Sequence, residues 1–265
     1  MRRRFGQVLR IGIAPGELAL ATSGRWGGPG EVLETCPLAE GPGLEPILLG
    51  LRTLLDSGDY AGWPAAVVVA DDLARLWQVN PPLTAARVAD LEAAAALRFH
   101  HLYGDAPANW AISADWDARR PFLAAGLPRA LTAMLAQAAQ DRKLVLVEVA
   151  PHFVVAWNRW QRAVRAGSWF GVVHDGVLTV GATAGRRVTT VRAAAIPPQA
   201  GHDWLAAHLA REALRLNLAT PEAIAVCGAA PASWQRADAD LACTVLGAAD
   251  EHRGALALAL AGVPA

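Results

Sequence analysis

The sequence predicts an α/β protein of two lobes, built by duplication of a unit made of β-sheet plus helices. Three observations carry that expectation. Read along the chain, the elements run hairpin, extra strand, helix, strand, helix, and the order then begins again near residue 144. Two short, almost wholly apolar runs, 65–70 and 224–227, read as strands buried on both faces. The length of 265 residues suits two lobes with separate cores.

In the first half, strands over 8–13 and 17–22 flank Ala14-Pro15-Gly16, and 31–36 supplies a third strand after the loop 24–30. Leu44, Leu48, Leu51 and Leu55 recur at helical spacing, with Gly58 placed to end the helix. After the buried strand 65–70, Thr84 is positioned to cap a helix running through Leu102. Val88, Leu91 and Ala95 lie on its inner face and Gly104 lies beyond its end. A short strand over 109–113 follows. Leu127, Leu131, Met134, Leu135 and Ala138 mark another helix, entered through Pro128.

The second half opens with 144–149 and 153–157, read as a hairpin around the corner Glu148-Val149-Ala150-Pro151-His152. Strands over 170–173 and 177–180 flank Asp175-Gly176, a strong two-residue turn signal, and 187–192 adds a third strand. Asp203 is placed to cap a helix with Leu205, Leu209, Ala213 and Leu216 on one face. A buried strand 224–227, a strand 242–246 and a closing helix 252–261 complete the chain. The expected division is a first lobe over 1–141, with an inserted subdomain at 71–110, and a second lobe over 142–265.

Composition excludes several classes. Formal net charge is zero, so no whole-molecule field steers the chain to nucleic acid or an anionic membrane. The cluster Arg2-Arg3-Arg4 reads as a solvated end. Cys36, Cys227 and Cys243 are odd in number and widely spaced, which fits a reducing cytoplasm and indicates neither a disulfide framework nor a zinc site. No apolar run reaches the roughly 18 to 20 residues of a spanning helix.

The chemistry-bearing residues are few. A buried strand, a tight corner with one carboxylate and then a second strand is a layout that can seat a nucleotide phosphate. Backbone N–H groups cradle phosphate only where the chain approaches closely, which favours Gly, and Pro151 carries no N–H. Glu148 is the one corner carboxylate and reads as a structural or vestigial group. His100 and His101 are adjacent on a helix and point about 100° apart, so they do not share an ion. His152 has no Ser or Cys placed to make it part of a nucleophilic pair. The glycine-rich stretch 24–30 lacks the Lys-Ser/Thr of a P-loop and reads as a connection. The ten tryptophans read as core.

Duplicated hairpin, helix and strand units describe the actin-like (ASKHA) two-lobe fold, and particular segments carry the same resemblance. Leu9-Arg10-Ile11-Gly12-Ile13 resembles the opening strand of the actin-like ATPase superfamily. Phe122-Leu123-Ala124-Ala125-Gly126-Leu127-Pro128 resembles an Ala-Gly-Leu element ahead of a helix. The stretch 209–216 followed by 224–229 resembles its passage into an adenosine-contacting Gly-Gly loop, and 254–262 resembles its closing helix. Within the superfamily the chain is most similar to the PilM family of type IV pilus assembly, then to the cytoplasmic domain of the GspL family of type II secretion.

The departures from the family pattern shape what the resemblance implies. The family has Asp after Gly-Ile, where this chain has Ala14 after Gly12-Ile13. It has Asp-Ile-Gly, where this chain has Glu148-Val149-Ala150, and Gly-Gly where this chain has Gly228-Ala229. The lost acids would hold Mg²⁺ through its waters. The resemblance therefore implies a pseudo-ATPase with no catalytic residue, metal or cofactor, and vestigial cleft positions at Gly12, Ala14, Glu148, Gly228 and Ala229. It would be a cytoplasmic scaffold at the inner membrane, binding the N-terminal cytoplasmic peptide of a membrane-anchored PilN-type partner through its first lobe. Self-association is a third role, and an active ATPase or kinase of the same fold is the enzymatic alternative.

Overall fold

A computed structural model of the chain describes residues 6–24, 30–41, 43–185, 187–236, 240–247 and 252–261. The arginine cluster at 2–4, the middle of the glycine-rich stretch and residue 262 of the closing segment lie outside them. The chain forms two compact units, one of Met1–Val155 with Gly254–Ala265, the other of Ala156–Arg253.

The first unit opens with β1 (Gln7–Ala14), β2 (Glu17–Gly24) and β3 (Glu31–Pro37), then α1 (Glu45–Asp56) and β4 (Pro64–Val69). Next come β5 (Arg75–Val79), α2 (Val88–Tyr103), β6 (Trp110–Ala114), β7 (Phe122–Pro128), α3 (Arg129–Asp141) and β8 (Val145–Pro151). From α4 (His152–Trp160) the chain enters the second unit, with β9 (Trp169–His174), β10 (Val177–Ala184), β11 (Arg187–Ala195), α5 (His202–Arg215), β12 (Ala223–Gly228) and β13 (Ala242–Val245). The closing helix α6 (Gly254–Leu260) returns to the first unit.

The duplication is visible in the strand orders. One five-stranded sheet runs β3-β2-β1-β4-β8 and the other β11-β10-β9-β12-β13. Both have two antiparallel hairpin pairings, then a parallel step from the first hairpin strand to the strand after the helix, then a second parallel step. The repeat thus restarts at β9 and not at residue 144. The segment 144–151 is the last strand of the first sheet, with Val67 paired to Val149 and Val69 to Pro151. The expected boundary at 141/142 is displaced to 155/156, and the closing helix belongs to the first unit.

The hairpin expected at 144–157 is a strand followed by a helix. Val154 and Val155 favour extended chain by propensity, but Phe153, Ala156, Trp157 and Trp160 also recur at helical spacing. The helix is secured at its start by Asp71, whose carboxylate accepts the Phe153 N–H at 2.9 Å. The inserted subdomain is a three-stranded antiparallel sheet, β5-β7-β6, extending to Pro128 and so beyond the expected 71–110. Its core joins Trp77, Leu91, Phe99 and Phe122. Here α2 starts at Val88, four residues after Thr84, because Asp90 accepts the Ala86 and Arg87 N–H groups at 3.0 Å. Those bonds hold the Asp90 carboxyl below its usual range. Gly104 ends the helix in the left-handed conformation, φ 74°.

Each face of the first sheet has its own packing. Leu9, Ile11 and Ile13 of β1 join Leu51, Leu54, Leu131 and Leu135 of α1 and α3. The opposite face is lined by small residues, Ala14, Ala19, Ala21 and Ala70, against Ala255, Leu258 and Ala259 of α6. In the second unit, Leu178, Val180 and Ala182 of β10 pack on Leu205, Leu209 and Ala213 of α5. The Asp175-Gly176 turn forms as expected, with φ of 45° and 73° and Val177 paired to His174. No helix among the described residues is long and apolar enough to cross a membrane.

Candidate functional site

In the first unit the corner positions are occupied by the chain itself. Gly12 lies under α6, where an added Cβ would overlap the Ala255 carbonyl oxygen, so its lack of a side chain serves helix-on-strand packing. Ala14, 3% exposed, packs into the same small-residue layer. The two-residue loop Pro15-Gly16 joins Ala14 to its partner Glu17, and Glu17 Oε2 accepts the Ala255 N–H at 2.9 Å. A carboxylate is thus present at this corner, directed at the start of α6.

Glu148 does not stand at the second corner. It lies on β8 opposite Ala66, solvent-exposed, just past an irregularity in the pairing that displaces Val147. No hydrogen bond to its carboxylate is found among the described residues, so the expected structural carboxylate is supplied elsewhere. It is Asp71, two residues beyond β4, half-buried, and bonded to the first turn of α4. A carboxylate at a helix N-terminus answers both the unpaired N–H groups and the helix dipole. Sequence reasoning passed over Asp71 because it was grouped with the insertion; its signal was a carboxylate immediately after a buried strand. His152 is the first residue of α4 and is buried.

In the second unit, Gly228 ends β12 with φ 86°, and a Cβ there would overlap the Val173 carbonyl oxygen. The Ala229 N–H donates to that same oxygen at 3.2 Å and the Ala230 N–H to Gly228 O at 2.8 Å. These two amide donors are engaged within the chain. Gly12 and Ala14 therefore share one packed layer, Glu148 stands apart from them on an edge strand, and Gly228 with Ala229 forms a self-bonded turn.

The remaining candidates are also absorbed by local structure. His100 Nδ1 lies 3.0 Å from the Asp105 carbonyl at the end of α2. Burial pushes the Cys243 thiol up to about 11, keeping it protonated near neutral pH. Among the described residues, no three His, Cys, Asp or Glu side chains converge as a metal site. Trp63, Trp77 and Trp234 are almost wholly buried, in three different apolar clusters.

No family profile and no curated protein matches the chain. Among solved structures it is similar to a Bacteroides thetaiotaomicron protein with actin-like ATPase fold and unknown function, at TM-score 0.62 and 9% identity over 97% of this chain and 95% of that one. A PilM-PilN type IV pilus biogenesis complex gives TM-score 0.60 and 12% identity, covering 97% and 99% of the two chains. The cytoplasmic domain of EpsL, an inner membrane component of the Vibrio cholerae type II secretion system, gives 0.58 and 12%, covering 97% and 92%. With two sheets of the same duplicated order, these likenesses give the chain the actin-like ATPase fold.

Proposed function

We propose that this protein is a non-catalytic scaffold of a bacterial inner-membrane pilus or type II secretion assembly, binding the cytoplasmic peptide of a membrane-anchored, PilN-type partner. The observation that supports the reading is that the corners matched to the family's nucleotide loops make their contacts within the chain. Ala14 is packed beneath α6, Asp71 fills the start of α4, and the amides of Ala229 and Ala230 are bonded internally. A phosphate placed at the start of α4 would meet the Asp71 carboxylate at short range, a like-charge contact. The likeness to a PilM-PilN complex and to the EpsL cytoplasmic domain supports the assembly context.

The three-stranded subdomain of the first unit is the proposed peptide platform. Among the described residues its outer strands β5 and β6 each pair only with β7, leaving one edge of each for strand addition. Exposed Leu97 and Arg98 on the neighbouring α2 offer an apolar and a cationic contact.

Two measurements test the reading. A ligand at a hundredfold its Kd stabilises a protein by about 2.7 kcal/mol, roughly 5 to 10 °C in a chain of this size. Melting curves with millimolar Mg-ATP are expected to stay flat. Pull-downs from native-host membranes are expected to recover an inner-membrane pilus or secretion component with wild type and with Arg162→Glu in the second unit, and to lose it with Arg98→Glu. Recovery of no such component sinks the scaffold, and loss only with Arg162→Glu moves the contact to the other unit. The half-buried Asp71, a carboxylate directly after a buried strand, is the observation that favours an active ATPase or kinase. In that case Mg-ATP raises the melting temperature and Asp71→Asn abolishes the rise.

A further inference from the structure

The second unit contains a polar pocket of about 400 Å³ between α5 and the edge strand β11. Strand pairing fixes its geometry. Leu178 and Val180 of β10 face α5, and their partners across the ladder are Ala194 and Arg192, which therefore point to the helix-bearing face. From the helix, His208, Arg211, Glu212 and Arg215 close the other wall.

Two of these side chains are anomalous for a helix packed on a sheet. His208 is 7% exposed and Glu212 4% exposed, yet His208 Nε2 and Glu212 Oε2 are buried with no hydrogen-bond partner among the described residues. Buried polar groups are normally paired, so two such atoms on residues that line one cavity mark positions a ligand completes once their side chains turn toward it. The imidazole is also held in orientation. Its ring stacks on Trp204 at 5.2 Å with planes 4° apart, and Trp204 stacks in turn on Trp234. The other oxygen, Glu212 Oε1, accepts from Arg215 at 2.6 Å, and among the described residues the exposed Arg192 and Arg211 have no carboxylate partner.

We infer that this pocket binds a small phosphorylated polyol or sugar. Arg192 and Arg211 take the phosphate by charge-assisted hydrogen bonds, while Glu212 Oε2 and His208 Nε2 take ligand hydroxyls. A bare inorganic anion leaves the Glu212 oxygen unsatisfied and sets it against like charge. A neutral sugar leaves both arginines without a counter-charge. The volume falls within the range of small-molecule pockets, and a hydroxylated phosphate ester supplies both kinds of group at once. The inference is independent of the scaffold reading.

Calorimetric titration of the full chain with ribose 5-phosphate, ribose and inorganic phosphate tests it. The expected result is saturable binding of ribose 5-phosphate at least tenfold tighter than either fragment. Arg192→Ala with Arg211→Ala abolishes it, and Glu212→Gln brings the affinity down toward that of inorganic phosphate. Because Glu212→Gln alters a buried group, the wild-type His208 ring is followed in parallel by its long-range ¹H–¹⁵N resonances, which shift on adding ribose 5-phosphate and not on adding ribose. Equal affinity for ribose 5-phosphate and inorganic phosphate reduces the pocket to a nonspecific anion patch and overturns the inference. No binding at 10 mM, or undiminished binding by the double arginine variant, overturns it as well.

Discussion

Gly228 is fixed by two independent constraints, a φ of 86° and the closeness of the Val173 carbonyl. The left-handed conformation alone costs an L-residue about 1–2 kcal/mol, and the overlap adds to it. Gly228→Ala is expected to lower the unfolding free energy by at least that much, seen as a lower urea midpoint with m unchanged, which equilibrium unfolding measures directly. His208 makes a different prediction. Burial holds its imidazole below the ordinary value of 6.5, with Glu212 opposing and Arg211 and Arg215 assisting. The unfolded chain therefore binds the proton more readily, so stability is fully present above about pH 6.5 and falls as pH drops toward the folded pKa. Urea unfolding at pH 7.5 and 5.0 is expected to show a loss that His208→Gln reduces; an identical slope in the variant would remove His208 as its source. At this scale the sequence was legible where backbone geometry is local, as at Asp175-Gly176. It was opaque at Glu148, because which face of β8 a residue takes depends on a pairing irregularity and on the neighbouring strand.

The start of α4 shows why elements were read unevenly. Val154 and Val155 are β-branched, and a short apolar run does not by itself distinguish strand from helix. The deciding contact comes from Asp71, 82 positions earlier, and a tie of that separation leaves no mark in a local window. Likewise β5 went unseen as a strand because it is only five residues long, and β7 because its centre is Ala-Ala-Gly, and they are made stable by pairing with each other. Removing the tie is expected to loosen α4 first. Asp71→Ala should cost about 1–2 kcal/mol, the scale of a lost helix cap. Amide exchange should accelerate at Phe153 and the following turn before β9 and β10 respond. If Phe153 stays as protected as in wild type, the carboxylate is not what anchors the helix.

The whole molecule is organised by a repeat that the element order revealed and the lobe boundary misplaced. Each unit keeps the strand order of hairpin, parallel strand and second parallel strand, so β8 answers to β13, and the second unit begins only after α4 has started. The sequence showed the closing helix 252–261 but gave no sign of its destination, since its apolar residues suit either core. Its partners are the small residues of β1 and β2, and Gly12 and Ala14 are small because α6 lies on them. That assigns the C-terminal helix to the stability of the first sheet. Leu258 is wholly buried there, and Leu258→Ala is expected to cost about 2–5 kcal/mol by the measure of core truncations. Hydrogen exchange followed strand by strand should show the consequence as faster exchange in β1, β2 and β4, with β9, β10 and β12 as slow as in wild type. Acceleration confined to the second sheet would mean that α6 supports the other unit, and the packing of Gly12 beneath it would then need another cause.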